Sequence, residues 1–316
     1  MVEVAATGIC GSDVAIDTWE ASYRGFMASR LPVTLGHETA GQITAVGPDV
    51  DQGWIGRRVA INPSVACGKC AACLRGDEIG CLDRQAIGMV QNGAFARHVL
   101  APVRYCFELP DHMPTELGAL VEPLTTGAYA LEVAGFKSGD RVVVFGPGPI
   151  GQGAAVLART FGAGAVAVVG LSDAPRFEAL RAAGVTQLFD MAEDGAAQRL
   201  AEVAQGGFDI AIDATGVPSV INQALGLLRP QGVLAVAGMG EQPAKVDILK
   251  LVKNRLQIRG VSRMPPAIWP KVIAAIASDP AAFTPLISHR MPLSQALDGF
   301  ELCRTGASSK ILLLPN

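Results

Sequence analysis

The stretch RVVVFGPGPIGQGAAVLART, residues 141–160, joins an unbroken apolar run to a helix-like segment through a glycine-rich turn. A run such as Arg141–Phe145, apolar without alternation, suits a strand covered on both faces. Gly146, Gly148 and Gly151 stand in G-x-G-x-x-G spacing between that strand and the helix. In this setting each glycine has a task. The first permits a tight turn, the second lets backbone approach a pyrophosphate, and the third allows close packing of helix on strand. Phosphates then lie at the helix N-terminus, where free N–H groups point outward. Gly146, Gly148, Pro149, Ile150 and Gly151 are therefore candidate cofactor-binding positions, and the candidate ligand is a dinucleotide, NADP or NAD. A glycine- and proline-rich loop without a ligand is the bland alternative, and the strand–turn–helix setting argues against it.

Working outward, strand and helix patterns alternate downstream: AVAVVG, APRFEALRAAG, TQLFD, FDIAIDATG, VPSVINQALGLLRP, GVLAVAG and, as a sixth strand, LQIRGV. Parallel strands need crossover helices, so this rhythm predicts an α/β fold, a Rossmann doubly wound parallel sheet. Upstream, short β-like runs such as GQITAVG and RRVAIN are broken by Gly, Pro and Asp, which predicts an irregular β-rich lobe. The expected division is a β-rich lobe over 1–122, a dinucleotide-binding domain over 123–260, and a tail, 261–316, that returns to the first lobe. The tail reads as two helices followed by an edge strand, KILLL.

With 316 residues and half of them hydrophobic, the chain can bury a substantial core. Its formal charge of −3, without a Lys/Arg run, gives no footprint for nucleic acid or acidic lipid. Small molecules are the expected partners. The start, MVEVAATGIC, lacks the features of a signal peptide, and no stretch has eighteen uninterrupted apolar residues. The cytoplasm is the expected compartment, and there clustered thiols point to metal or chemistry rather than disulfides.

Cys67, Cys70, Cys73 and Cys81 follow C-x2-C-x2-C-x7-C spacing. Short gaps let a turn aim successive sulfurs at one ion, and Gly68, Lys69 and Gly76 favour such turns. Four thiolates leave no open position, so this zinc site is expected to be structural. An iron–sulfur cluster fits less well, because the bacterial ferredoxin run places its fourth cysteine after three residues and follows it with proline.

Which dinucleotide binds turns on VVGLSDAPR, residues 168–176. An NAD site usually ends its second strand in an acidic residue. Here that position falls on Gly170 or Leu171, while Ser172 and Arg176 are placed to meet a 2′-phosphate. Asp173 reads as the cap of the helix that starts near Ala174. The sequence thus leans to NADP.

Three further segments hold potential ligands: GICGSD (8–13), LGHE (35–38) and LVEP (120–123). Cys10, His37 and Glu122 are each unremarkable alone, as a small core residue, a turn histidine and the end of a loop. Together with NGAFA, LVEPLTTGAYA, GPGPIG, ISHRMPL and the cysteine lobe, these segments resemble the zinc-dependent medium-chain dehydrogenases, specifically the sorbitol/threonine dehydrogenase branch. The resemblance runs along nearly the whole chain. It implies a GroES-like catalytic lobe carrying a structural zinc loop, a homodimer or homotetramer, and zinc-dependent, NAD(P)-linked interconversion of a secondary alcohol, polyol or amino alcohol with its ketone. Cys10, His37 and Glu38 match the catalytic zinc ligands. Glu122 replaces the second cysteine of simpler alcohol dehydrogenases, and either binds the zinc or holds its water. Ser12 matches the hydroxyl that takes the substrate proton, and Arg263 matches an arginine that contacts polyol hydroxyls. The catalytic zinc and the nicotinamide are expected in the cleft between the lobes.

Two departures stand out. Ala15 occupies a position where the family often has a relay histidine. Related chains also carry about twenty more residues before VEVAATGIC, so the lobe is expected to lack its first strands and to expose a sheet edge. Two other functions remain open on sequence alone. One is a carbonyl or alkene reductase in which only the cysteine lobe holds zinc. The other is a non-catalytic nucleotide-binding redox sensor. Trp19 and Tyr23 are candidates for lining a substrate pocket from a loop; Cys106 and Cys303 read as core residues, and His98, His112 and His289 as solvated or hydrogen-bonded.

Overall fold

A computed structural model describes residues 1–28 and 30–315. They form two units: Met1–Glu122 with Pro265–Pro280 and Ile287–Asn316, and Pro123–Met264 with Ala281–Leu286.

The first unit begins with β1 (Val2–Gly8), whose alternation buries Val2, Val4 and Ala6 on one side. Strands β2 (Glu38–Ile43) and β3 (Arg58–Ile61) follow, then the short β4 (Ser64–Val65), β5 (Gln85–Ala86), β6 (His98–Val99) and β7 (Cys106–Glu108). Helices α1 (Gly11–Asp17) and α2 (Ala21–Met27) lie between β1 and β2, and α3 (Ala71–Leu74) lies between β4 and β5. Val2, Val4, Ile43, Val59, Ile61, Ile87 and Tyr105 form one buried cluster of this lobe.

The second unit contains β8 (Arg141–Phe145), β9 (Ala165–Gly170), β10 (Gln187–Asp190), β11 (Phe208–Asp213), β12 (Leu228–Val236) and β13 (Gln257–Gly260). These pair in the parallel order β10-β9-β8-β11-β12-β13. The order reverses between β8 and β11, which makes their C-terminal ends the crevice where such sheets take ligands. Helix α4 (Val121–Ala134) precedes β8, while α5 (Pro149–Thr160) and α6 (Ala174–Ala182) follow β8 and β9.

Two glycines of the β8–α5 turn are required sterically. Gly146 has φ +93°, a conformation that disfavours a side chain. A Cβ on Gly151 would stand 1.9 Å from the carbonyl oxygen of Gly146, so no other residue lets α5 start this close to the strand.

The chain then returns to the first unit through β14 (Ile287–Pro292) and β15 (Lys310–Leu314). The lobe's main sheet runs β14-β15-β1-β2-β3-β7, with β6 also paired to β1. KILLL, expected at an edge, is therefore interior. Ile311, Leu312 and Leu313 are all fully buried, and such a uniformly apolar strand is stable only with a neighbour on each side. ISHRMP, within a tail expected to be mostly helical, is the parallel partner on its outer side. β1 is likewise flanked by β15 and β2 rather than lying on an edge. Among the described residues, no helix is long and apolar enough to cross a membrane.

Candidate active site

Cys10 caps α1. Its N–H donates to Asp13 Oδ2 at 2.9 Å, which ties the thiol-bearing residue to the first turn of the helix. His37 and Glu38 stand at the entry to β2. The preceding Gly36 has φ +95° and packs on Phe95; the N–H groups of Gly93, Ala94 and Phe95 donate to the carbonyls of Thr34, Gly36 and Leu35. The NGAFA segment thus clamps LGHE in place.

These constraints bring one donor atom each from Cys10, His37 and Glu38 to within 4.8 Å of one another. Ser12 Oγ is buried and lacks a hydrogen-bond partner. A buried hydroxyl without a partner is costly unless something else occupies that place, and a substrate hydroxyl would. Glu122 does not end a loop but sits in the first turn of α4. Burial pushes its carboxyl up to about 7, with His37 pulling down and Glu38 pushing up, so it lies within electrostatic reach of these residues without being one of the converging donors.

Two residues that the sequence reading left out support this set. Asp13, completely buried, places Oδ1 3.4 Å from His37 Nδ1. Burial alone would lower the His37 pKa, but the charges of Asp13 and Cys10 outweigh it and hold the pKa well above the ordinary value. A carboxylate on one ring nitrogen fixes the ring and leaves the other nitrogen for a metal. The second residue is Lys310 of β15, only 2% exposed. Its Nζ donates to Glu38 Oε1 and Oε2 at 2.7 and 2.6 Å and to the Ile9 carbonyl at 2.9 Å. All three ammonium protons are used. Gly8 makes room for this pair, because a Cβ there would stand 2.0 Å from Glu38 Oε2.

Trp19 stands between α1 and α2 at φ +57°. Tyr23 lies on α2 rather than on a loop, and burial followed by the Cys10 charge raises its hydroxyl pKa.

The four-thiol segment folds on itself. Gly68 and Gly76 adopt positive φ, and Cys70 caps α3. Cys67 and Cys70 N–H groups each donate to a neighbouring sulfur, that of Cys81 and Cys67 respectively, at 3.3 Å. Backbone N–H groups of Cys73 and Leu82 pull the Cys70 thiol down to about 6. All four sulfurs lie within 4.8 Å of one another; Cys67–Cys73 is 3.9 Å and Cys70–Cys73 is 3.5 Å. Four sulfurs about 2.3 Å from a tetrahedral ion stand roughly 3.8 Å apart, so the spacing fits zinc. Tyr105 braces the segment by accepting from Ala66 N and donating to Glu78, while Arg84 donates to the Glu78 and Ile79 carbonyls.

In the second unit, Gly148 caps α5 and Pro149 takes its first position. Ser172 stands at φ +58° with its N–H on Asp190, and Arg176 is paired with Asp173 at 2.9 Å. Asp173 is not the side-chain cap of α6; its carboxylate folds back to Leu171 N instead. Asp213 and Thr215 were also unforeseen. The Thr215 hydroxyl donates to Asp213 Oδ1 at 2.6 Å, and its methyl packs against Gly146 at the switch point. Arg263, just after the sixth strand, has φ +57°.

Known proteins resemble this chain along its length. Residues 1–111 match the alcohol dehydrogenase GroES-like domain, and residues 149–278 match the zinc-binding dehydrogenase model. The sorbitol dehydrogenase of Bacillus subtilis is 32% identical over 321 residues, covering 100% of this chain and 90% of that one. The chain belongs to the zinc-dependent medium-chain dehydrogenase family. Among solved structures, a short chain alcohol dehydrogenase of Escherichia coli CFT073, complexed with NADH, superposes with a TM-score of 0.86 at 27% identity, covering 99% of this chain and 90% of that one. A zinc-binding dehydrogenase from Sinorhizobium meliloti 1021, bound to NADP, gives a TM-score of 0.86 at 27% identity, covering 99% and 91%.

Within this family, the mixed thiolate, imidazole and carboxylate donors of Cys10, His37 and Glu38 suit zinc, and their number leaves a position open. The Glu38 donor in turn depends on Lys310. Removing one partner of a buried ion pair leaves the other charge uncompensated, at a cost of about 3–5 kcal/mol. Lys310→Met is therefore expected to lower the unfolding free energy of the metal-free protein, measured by denaturant titration, by that amount, and Lys310→Met/Glu38→Gln to recover much of it. Equal stability of the single variant and wild type would refute the coupling.

Proposed function

We propose that this protein oxidises a secondary alcohol or polyol to its ketone, and performs the reverse reduction, with a nicotinamide dinucleotide as hydride carrier. The observation that carries the reading is the convergence of Cys10, His37 and Glu38, with the buried, partnerless hydroxyl of Ser12 two residues after Cys10 on the same helix start. Cys10, His37 and Glu38, with Glu122 as direct or water-mediated fourth member, are the proposed ligands of a catalytic zinc; Cys67, Cys70, Cys73 and Cys81 are those of a structural one. Zinc at the first site supplies Lewis acidity, which makes a substrate hydroxyl easier to deprotonate and a carbonyl easier to reduce.

The protein's own groups divide the remaining work. Ser12 Oγ takes the substrate hydroxyl's proton as it hands its own to a ribose hydroxyl of the cofactor or to water, since Ala15 stands where a relay histidine could serve. Asp13 keeps His37 oriented through Nδ1. Lys310 balances the Glu38 charge, so that the donor set is not over-anionic before substrate arrives. Arg263 is the proposed contact for further substrate hydroxyls. Gly146, Gly148, Pro149, Ile150 and Gly151 form the proposed pyrophosphate turn, with Ser172 and Arg176 near the adenosine ribose.

A homodimer is the proposed assembly. β13 is one of the two edge strands of the parallel sheet, with Ile258 38% exposed, and the adjacent helix Ile248–Asn254 presents Ile248, Leu249 and Val252, each more than 60% exposed. An open edge flanked by apolar side chains is a template for pairing with a second copy. The thiolate cluster suits a reducing compartment, and the cytoplasm is the proposed location.

A screen of secondary alcohols and polyols, following absorbance of the reduced nicotinamide, reads the activity. Turnover of at least one is expected, with Cys10→Ala and Ser12→Ala each reducing it by about 100-fold or more, in line with the loss of a catalytic group. Undiminished turnover in Cys10→Ala would favour a reductase that uses zinc only in its cysteine lobe. Sedimentation velocity should show a dimer that Ile258→Lys shifts toward monomer; a monomeric wild type at micromolar concentration would refute the assembly.

A further inference from the structure

The adenosine ribose of a dinucleotide sits by the end of the second strand of this fold, and the groups there decide whether a 2′-hydroxyl or a 2′-phosphate is accepted. β9 ends at Gly170, and the next residue, Leu171, is 67% exposed and offers no polar side chain. The corner is nevertheless acidic. The Asp173 carboxylate swings back so that Oδ2 accepts from Leu171 N at 3.0 Å. It lies 2.8 Å from the point where a Cβ of Gly170 would stand, and that same point is 2.8 Å from Pro147 of the phosphate turn. Asp173 thus fills the space between strand end and turn that a longer side chain at the strand end would otherwise reach.

A 2′-phosphate needs a cation or uncommitted N–H groups in this corner. Both are engaged by carboxylates of the chain. Arg176 donates to Asp173 Oδ1 at 2.9 Å. Leu171 N is bonded to Asp173, and Ser172 N to Asp190 Oδ1 at 2.8 Å. Asp190 also accepts from Ala192 N at 3.0 Å, and these backbone donors hold its carboxyl below the usual range, so it stays ionised. One carboxylate, Asp173, therefore holds the guanidinium, and a second, Asp190, occupies the neighbouring backbone donors. An ionised carboxylate has about four acceptor sites, and the two bonds to Asp173 leave capacity for ribose hydroxyls.

We infer that Asp173 makes the nucleotide-binding unit select NAD over NADP, opposite to the lean of the strand-end sequence. The inference rests on the dinucleotide reading proposed above. Asp173 accepts from the ribose diol and, with Asp190 behind the turn, repels a 2′-phosphate, while Arg176 is held by Asp173 rather than offered to the ligand.

Calorimetric titration of the intact protein with NAD⁺ and with NADP⁺ tests this directly. Wild type should bind NAD⁺ at least about tenfold more tightly, the ratio expected when the ribose diol forms one charge-assisted hydrogen bond and a phosphate meets one repulsion. Asp173→Ser should weaken NAD⁺ and strengthen NADP⁺, moving the ratio by a further factor of about ten or more as Arg176 is released. Asp173→Ser/Arg176→Ala should lose the strengthened NADP⁺ binding. Equal or tighter NADP⁺ binding by wild type, or a ratio unmoved in Asp173→Ser, overturns the inference while leaving the dinucleotide reading intact. Failure of both dinucleotides to bind overturns the two together.

Discussion

The ammonium of Lys310 between the carboxylate of Glu38 and the carbonyl of Ile9 is the interaction on which the first lobe depends. An unpaired charge of either sign at this depth would be expensive, and each is tolerated only because the other is there. The pair spans 272 residues and couples β15 and β2 across the intervening β1. It therefore fixes both the last strand of the chain and the orientation of the carboxylate that converges with Cys10 and His37. The apolar remainder of β15 supplies the burial that keeps the pair dry.

The two donor sets of this lobe obey opposite logics. The cysteine knot is local: four sulfurs from a fifteen-residue stretch converge through glycine turns, with backbone N–H groups drawing Cys70 and Cys81 toward the thiolate form. The set of Cys10, His37 and Glu38 is assembled from separate elements and stops short of closure, with the unpartnered hydroxyl of Ser12 two residues from Cys10 along the chain. A closed shell organises chain, whereas an open one leaves room for substrate. In the nucleotide unit, carboxylates again set the chemistry, with Asp173 and Asp190 consuming donors that would otherwise suit a phosphate.

What could be read in the sequence was what depends on neighbours along the chain. The G-x-G-x-x-G turn and the sixfold strand rhythm announced the parallel sheet, because glycine placement and apolar runs are local necessities. The cysteine spacing announced a knot for the same reason. Asp13 lay in plain view three residues after Cys10, and helix-cap geometry could have linked it to that residue, but its reach to His37 needed the fold. Lys310 gave no signal, since a lysine opening an apolar strand usually marks an exposed end. Asp173 has the residue type and position of a helix cap, yet its carboxylate found a better donor arrangement behind it, in Leu171 N and Arg176. KILLL looked like an edge because nothing in its sequence reveals that ISHRMP runs parallel beside it.

The most direct test is anomalous X-ray scattering across the zinc absorption edge from crystals of the full chain. Two peaks per chain are expected, one enclosed by Cys67, Cys70, Cys73 and Cys81 and one at Cys10, His37 and Glu38. A single peak at the four thiolates, with none beside Cys10 in crystals supplied with zinc, would contradict the open-site chemistry at the centre of this structure.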